Sequence, residues 1–307
     1  MPSLRLLTAV GALLLAAGCA SRPATTTSPS PVDPHAGHMA DTAAPRATVT
    51  ITRASSFAPG ASTAQERLDK SPRHGEWVTI STGPQAGDSL RAWVVYPQRS
   101  TKAPVVIVIQ EIFGVTTWIR AVTDQLASEG FIAIAPDFLT GKLPADASDS
   151  LKQATGPTYT RALDAGVVQR QIDAVARYGM ALPAAEPRYG VVGFCWGGAA
   201  SFAHAVHSPT VGAAVVYYGT SPSPDRLAQV RAPVLGLYGE DDARVNATVP
   251  PADSAMKALG KSFTHATFPR AGHGFLRAQE GQNGANLAAS MRAWPMTIQF
   301  FRTHLER

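Results

Sequence analysis

Val191-Val192-Gly193-Phe194-Cys195-Trp196-Gly197-Gly198-Ala199-Ala200 is the stretch on which the fold turns. β-branched residues lead into it, and small residues lead out of it. That pattern predicts a buried strand that hands over sharply to a closely packed helix. The form is G-x-C-x-G-G, with the cysteine at the corner. Such a corner leaves little room two residues away on either side, and Gly193 and Gly197 supply that room. A helix starting after Cys195 aims its free N–H groups and positive dipole end at the sulfur. The expectation is a nucleophilic thiol with a lowered pKa, and a Trp196 N–H placed to meet developing negative charge.

Working outward, the same alternation recurs. Trp77–Ile80 and Leu90–Val95 read as a hairpin, joined by the Gly83–Asp88 loop. Pro104–Ile109 is a continuous β-branched run of the kind buried on both faces of a parallel sheet. A helix is predicted over Trp118–Ser128, then a strand over Phe131–Ala135 and a long helix over Thr160–Met180. Further strands are predicted at Tyr189–Phe194, Val211–Tyr218, Val234–Tyr238 and Phe263–Phe268. A last helix over Asn286–Leu305 should kink near Pro295. Strand–helix alternation with short connections predicts an α/β class fold. It is a mostly parallel, doubly wound sheet with helices on both faces and an antiparallel pair at one edge.

Composition narrows the function. The chain has 307 residues, 45% of them apolar and 16% charged, so it can bury a sizeable core and is no charge-rich disordered polymer. A net charge of +5 without a run of Lys and Arg argues against a nucleic-acid partner. Two cysteines, Cys19 and Cys195, exclude a disulfide scaffold and a Cys-rich zinc module.

Residues 1–18 carry Arg5 and then an apolar stretch from Leu6 to Ala17, as in a signal peptide. Leu15-Ala16-Ala17-Gly18-Cys19 resembles the bacterial lipobox, with the leucine one place early. The resemblance implies cleavage, lipidation of Cys19 and a membrane tether at the cell envelope, facing the periplasm or exterior. Thr, Ser, Pro and Ala dominate residues 19–72, which predicts a flexible spacer. His35 and His38 within it are too few to hold a metal. The folded domain is then expected at 73–307.

A thiol nucleophile needs a base and an orienting acid. Strand Val234–Tyr238 is followed by Gly239-Glu240-Asp241-Asp242, three acids from which spacing alone selects none. Strand Phe263–Phe268 is followed by Ala271-Gly272-His273-Gly274-Phe275, a loop from which His273 can reach the corner. His265 lies within the strand, and His204 and His207 lie beyond the corner, so these three are poorer candidates. Glu111 closes a hydrophobic strand, where a charge is costly without a partner.

Four motifs together resemble the dienelactone hydrolase family of α/β-hydrolases: Gln110-Glu111-Ile112-Phe113-Gly114, Gly193 to Gly198, Gly239 to Val245, and Ala271 to Phe275. The resemblance implies the α/β-hydrolase fold and a hydrolase cleaving a small lactone or carboxylic ester through a thioester acyl-enzyme. It implies Cys195 as nucleophile, His273 as base, and Asp242, from the family's G-x-x-D-x-x-V pattern, as the triad acid. It makes Glu111 the carboxylate that contacts the resting thiol and helps form thiolate once substrate binds. Ile112 and Trp196 become the oxyanion-hole donors. Arg277 matches one of the arginines that hold the carboxylate of an anionic substrate. The family's second arginine has no counterpart between Arg120 and Arg161, where Lys152 is the nearest cation. No metal or organic cofactor is implied, and a monomer is expected. Two other classes share these features: a tethered ligand-binding protein without turnover, and a thiol redox sensor.

Overall fold

The computed structural model describes residues 57–85 and 87–306. The expected signal segment, Cys19, the histidines of the spacer and the spacer itself as far as residue 56 lie outside these.

Eight strands form one sheet in the order β1-β2-β4-β3-β5-β6-β7-β8. The strands are β1 Gly75–Ser81, β2 Ser89–Val95, β3 Ala103–Ile109, β4 Ile132–Asp137, β5 Ala185–Phe194, β6 Ala213–Tyr217, β7 Val234–Asp241 and β8 Phe263–Gly272. β1 and β2 add the antiparallel edge, β2 pairing antiparallel with β4, and from β4 to β8 every pairing is parallel. The helices are α1 Ala64–Asp69, α2 Thr117–Ser128, α3 Asp149–Arg161, α4 Ala165–Ala181, α5 Trp196–His207, α6 Ala243–Asn246, α7 Val249–Ala258 and α8 Ala285–Leu305. α8 runs through Pro295 as one helix.

All seven residues of β3 are buried, which is why its sequence lacks polar alternation. Val105, Ile107 and Ile109 join a cluster with Ile172 and Val175 of α4 and Phe202 of α5. Val106 and Val108 join a second cluster with Trp118 of α2 and Trp294 and Ile298 of α8. Successive side chains thus feed the two helical layers that cover the sheet.

Two expectations need correction. The helix predicted over Thr160–Met180 starts later, as α4 from Ala165, and the polar stretch before it forms a further helix, α3, with a break at Ala162–Asp164 between them. Ser148 and Asp164 cap them, each side chain accepting from the N–H three residues on. The polar composition of α3 and its internal Pro157 conceal it in the sequence. The spacer, expected to run to residue 72, folds onto the domain from residue 57. Ala58 and Ala64 are buried in the second core cluster. The Trp118 indole N–H donates to the Pro59 carbonyl at 2.8 Å, and the Ala61 N–H donates to the Arg277 carbonyl at 2.8 Å. Small side chains make this segment look like linker, but they are what lets its backbone lie against the helices and loops beneath.

Candidate active site

The corner between β5 and α5 has the predicted shape. Cys195 sits at φ +58° and ψ −115°, a region that side-chain-bearing residues avoid. Its N–H donates to the Tyr217 carbonyl at 3.1 Å, and its own carbonyl accepts from Ala199 N–H at 3.2 Å. A methyl group at Gly193 would lie 1.8 Å from the Gly197 carbonyl oxygen, and one at Gly197 would lie 2.3 Å from that of Gln110. Both glycines are therefore required by the close approach of β5, β3 and α5.

Of the three acids after β7, the structure brings one to His273. Glu240 is exposed and accepts from the Arg270 N–H at 2.8 Å. Asp241 is exposed and paired opposite Gly272. Asp242 is buried, and its Oδ2 meets His273 Nδ1 at 2.5 Å. The register between β7 and β8 slips between Gly239 and Asp241, and Arg270 adopts φ +56°. Bulges of this kind re-aim side chains at the end of a strand. Since a carboxylate accepts, Nδ1 carries the proton, and Nε2 is the nitrogen left to exchange one.

A cavity of about 560 Å³ opens at this end of the sheet, lined by Cys195, His273, Glu111, Trp196, Tyr218 and Arg277 among others. Ile112 and Phe113 form part of its wall. Their loop is held by α3: the Thr160 hydroxyl donates to the Ile112 carbonyl at 2.9 Å. A methyl group at Gly156 would come within 2.9 Å of the Phe113 backbone, so α3 packs directly on that loop. These contacts hold the loop that carries Ile112, whose N–H is the expected second oxyanion donor.

The electrostatics of the sulfur run opposite to the expectation. Burial pushes the Cys195 thiol up to about 11, and the Glu111 charge adds to the rise. The Trp196 N–H and Arg244 oppose the shift but do not reverse it. One helix end cannot outweigh desolvation together with a nearby carboxylate, so at neutral pH the resting cysteine is a neutral thiol. Glu111 is itself fully buried, and burial raises its carboxyl to about 7 against the pull of Arg277. Arg277 Nε lies 2.8 Å from Glu111 Oε2, and its guanidinium also stands 5.3 Å from the centre of the Phe113 ring.

Other candidates separate cleanly. Lys152 donates to the Val115 carbonyl at 2.9 Å and ties α3 to the loop after β3, so it does not stand in for a substrate-binding arginine. Arg161, at the end of α3, and Arg244, on α6, line the cavity instead. His265 lies near Asp253 at 3.7 Å, and His207 pairs with Asp173 at 2.9 Å, both away from the cavity. Tyr218 was missed by sequence reasoning, although it directly follows β6 at the carboxyl end of the sheet, where ligands gather in α/β folds.

A mostly parallel sheet with a strained cysteine corner at its carboxyl end, and an Asp–His pair after its last two strands, matches an α/β-hydrolase fold. Comparison with known proteins narrows this. The sequence model of the dienelactone hydrolase family matches residues 90–305. A Salmonella typhimurium protein that bears the provisional name carboxymethylenebutenolidase is 34% identical over 271 residues, covering 82% of this chain and 97% of its own. Its Escherichia coli K12 counterpart, of the same provisional name, is 32% identical over the same share of each chain. A Klebsiella pneumoniae crystal structure provisionally titled a dienelactone hydrolase superposes with a TM-score of 0.61 at 28% identity, covering 74% of this chain and 98% of its own. The chain belongs to the dienelactone hydrolase family, of the lactone- and ester-cleaving class.

Proposed function

We propose that the protein hydrolyses a small lactone or carboxylic ester that carries a carboxylate, through Cys195, His273 and Asp242 and a thioester on Cys195. The observation that carries this reading is the 2.5 Å contact between His273 Nδ1 and Asp242 Oδ2 in the same cavity as the Cys195 sulfur. At rest the thiol is neutral, so its proton must move as the bond forms. His273 Nε2 takes the proton from Sγ while the sulfur attacks the carbonyl carbon. The oxyanion is met by the N–H groups of Ile112 and Trp196. Its collapse breaks the ester C–O bond, and the leaving oxygen takes the proton from His273. Water then gives a proton to His273 and attacks the thioester. The free acid leaves, and the proton returns to sulfur.

Glu111 gates the first step in this reading. A substrate carboxylate arriving at Arg277 competes for the guanidinium that now holds Glu111. Arg161 and Arg244 at the same cavity add positive potential for an anionic substrate. The N-terminal sequence supports attachment to the cell envelope through Cys19, which radiolabelled fatty acid incorporation, lost in Cys19→Ser, would test. For the activity, small lactones and aryl esters with and without a carboxylate are the substrates to screen. The expected result is turnover that favours the carboxylate-bearing members and is absent in Cys195→Ala. Equal turnover by that variant would overturn the reading.

A further inference from the structure

The chain from Gly272 to Gly281 carries Arg277 past the cavity, and it is held from two sides. On one side stands α8. The Gly272 N–H donates to Asn286 Oδ1 at 2.9 Å, and Asn286 Nδ2 donates to the Ala278 carbonyl at 2.7 Å. On the other side stands the segment of residues 57–63, which lies ahead of the family match. The Ala61 N–H donates to the carbonyl of Arg277 itself at 2.8 Å. Gln279, which is buried, donates from Nε2 to the Ala58 carbonyl at 3.0 Å, and the Ser62 hydroxyl donates to the Glu280 carboxylate. A methyl group at Gly60 would lie 3.0 Å from Gln279 Oε1, so segment and loop are in close contact. The segment is fastened to α2 in turn. The Trp118 indole holds the Pro59 carbonyl, and the Arg67 guanidinium joins the Phe57 carbonyl to Gln125. Trp118 also stands edge-on to Phe194 at 5.0 Å, next to Cys195 in the chain.

We propose that this segment is a positioning element for the substrate: the Ala61 N–H fixes the backbone of Arg277, and so fixes where the guanidinium meets a substrate carboxylate. This rests on the assignment of Arg277 to that carboxylate given above. A long side chain on a loop reaches only as accurately as its backbone is held, and small displacements of a charge clamp are felt strongly in binding. The bond goes to the carbonyl of Arg277 directly, and Gln279 and Glu280 repeat the attachment on the residues that follow. Through Trp118 the same segment is referred to the strand that ends at the sulfur. The guanidinium and the nucleophile are thus set from one frame, and the separation between carboxylate and reacting carbonyl that a substrate must have follows from it.

The test is Ala61→Pro in the full-length protein, with Ala61→Ser as the conservative variant that keeps the N–H. Ala61 is exposed and second in the turn closed by the Thr63 N–H on the Gly60 carbonyl at 3.3 Å, a place that suits proline. The substitution removes the donor and sets a ring carbon against the Arg277 carbonyl. For a carboxylate-bearing aryl ester, KM should rise about tenfold, the weight of one hydrogen bond to a charged group. KM for the neutral ester with the same leaving group should stay, and Ala61→Ser should match wild type with both. A loss of folded protein alone would lower kcat for both esters and move neither KM. In an Arg277→Leu background Ala61→Pro should add nothing to KM for the anionic ester, because the residue it acts through is gone. Should Ala61→Pro not fold, Gln279→Met, which keeps the side-chain length and loses the bond to Ala58, should raise the same KM. The proposal is overturned if KM for the anionic ester is unmoved in the folded variant, if both KM values rise alike, or if the effect persists without Arg277. If the wild type hydrolyses no ester, the proposed activity fails, and the positioning role is read from protection of Cys195 against iodoacetamide by benzoate. A benzoate requirement about tenfold higher in Ala61→Pro supports it; equal protection, or none in wild type, overturns it.

Discussion

Helix α5 carries a cluster of buried titratable groups at each end. At its C-terminal end His204 is fully buried, and its Nδ1–H donates to Gln169 Oε1 at 2.9 Å. Its Nε2 accepts from the Tyr189 hydroxyl at 3.0 Å, and Tyr189 in turn meets Ser208 at 2.9 Å. Burial lowers the His204 imidazole to about 4, so it stays neutral and every polar atom has a use. At the N-terminal end, Cys195 is strained, Glu111 is a buried acid raised to about 7 beside Arg277, and the Tyr218 hydroxyl is unmet among the described residues. The two clusters draw on similar residue types in similar burial. One is satisfied and holds the sheet to the helices. The other gathers strain and unmet groups at the cavity proposed to hold the substrate.

Substitutions can set the two ends against each other. Cys195→Ala should lower ester turnover on the order of a thousandfold or more while leaving the melting temperature in place, because nothing in the fold depends on the sulfur. Asp242→Asn should cost on the order of a hundredfold to a thousandfold in kcat, since an amide can present its N–H to His273 and favour the wrong tautomer. Glu111→Gln should split two measurements that usually move together. Hydrolysis falls, but alkylation of Cys195 by neutral iodoacetamide at pH 8 rises, because the charge that lifts the thiol has been removed. The same variant should change the pH dependence of stability. Glu111 titrates near 7 in the fold against an ordinary 4.5, so the folded state binds the extra proton. Stability from this group is full below about pH 4.5 and is lost as pH rises to about 7. Denaturant titrations should show that decline in wild type and lack it in Glu111→Gln. At the other end, His204→Leu leaves Gln169 Oε1 without its donor and Tyr189 with Ser208 alone, and should cost about 2 kcal/mol of stability. Its turnover per folded molecule should be unchanged, and a large fall there would mean the two ends are coupled through α5.

Much of this was legible in the residues. β3 announced its burial through seven consecutive apolar positions, and the corner announced itself through Gly193, Cys195 and Gly197, where sterics leave few alternatives. Spacing placed His273 but could not choose among Glu240, Asp241 and Asp242. The G-x-x-D-x-x-V resemblance pointed to Asp242, and the structure brings that residue to His273 across a register slip between β7 and β8, which spacing does not show. α3 stayed hidden because its surface is polar and Pro157 interrupts its period. The segment after residue 57 stayed hidden because alanine, proline and glycine look the same in a tether as in a backbone laid closely on a core. The thiol was misjudged for a different reason: the helix end is visible in sequence, whereas the depth of burial and the nearness of Glu111 are properties of the assembled cavity. Tyr218 carries no motif at all; its hydroxyl is one of several buried hydroxyls without a partner among the described residues, and its place in the cavity sets it apart.

The account rests on Cys195 forming a covalent acyl intermediate. Rapid quenching of the protein with an aryl ester at substrate excess, followed by intact and peptide mass spectrometry, measures this directly. The account predicts the mass of the acyl group on the Cys195 peptide within the first turnover, decaying as free acid appears, and no such adduct in Cys195→Ala. Hydrolysis at full rate with an unmodified Cys195 peptide at every time point would contradict it.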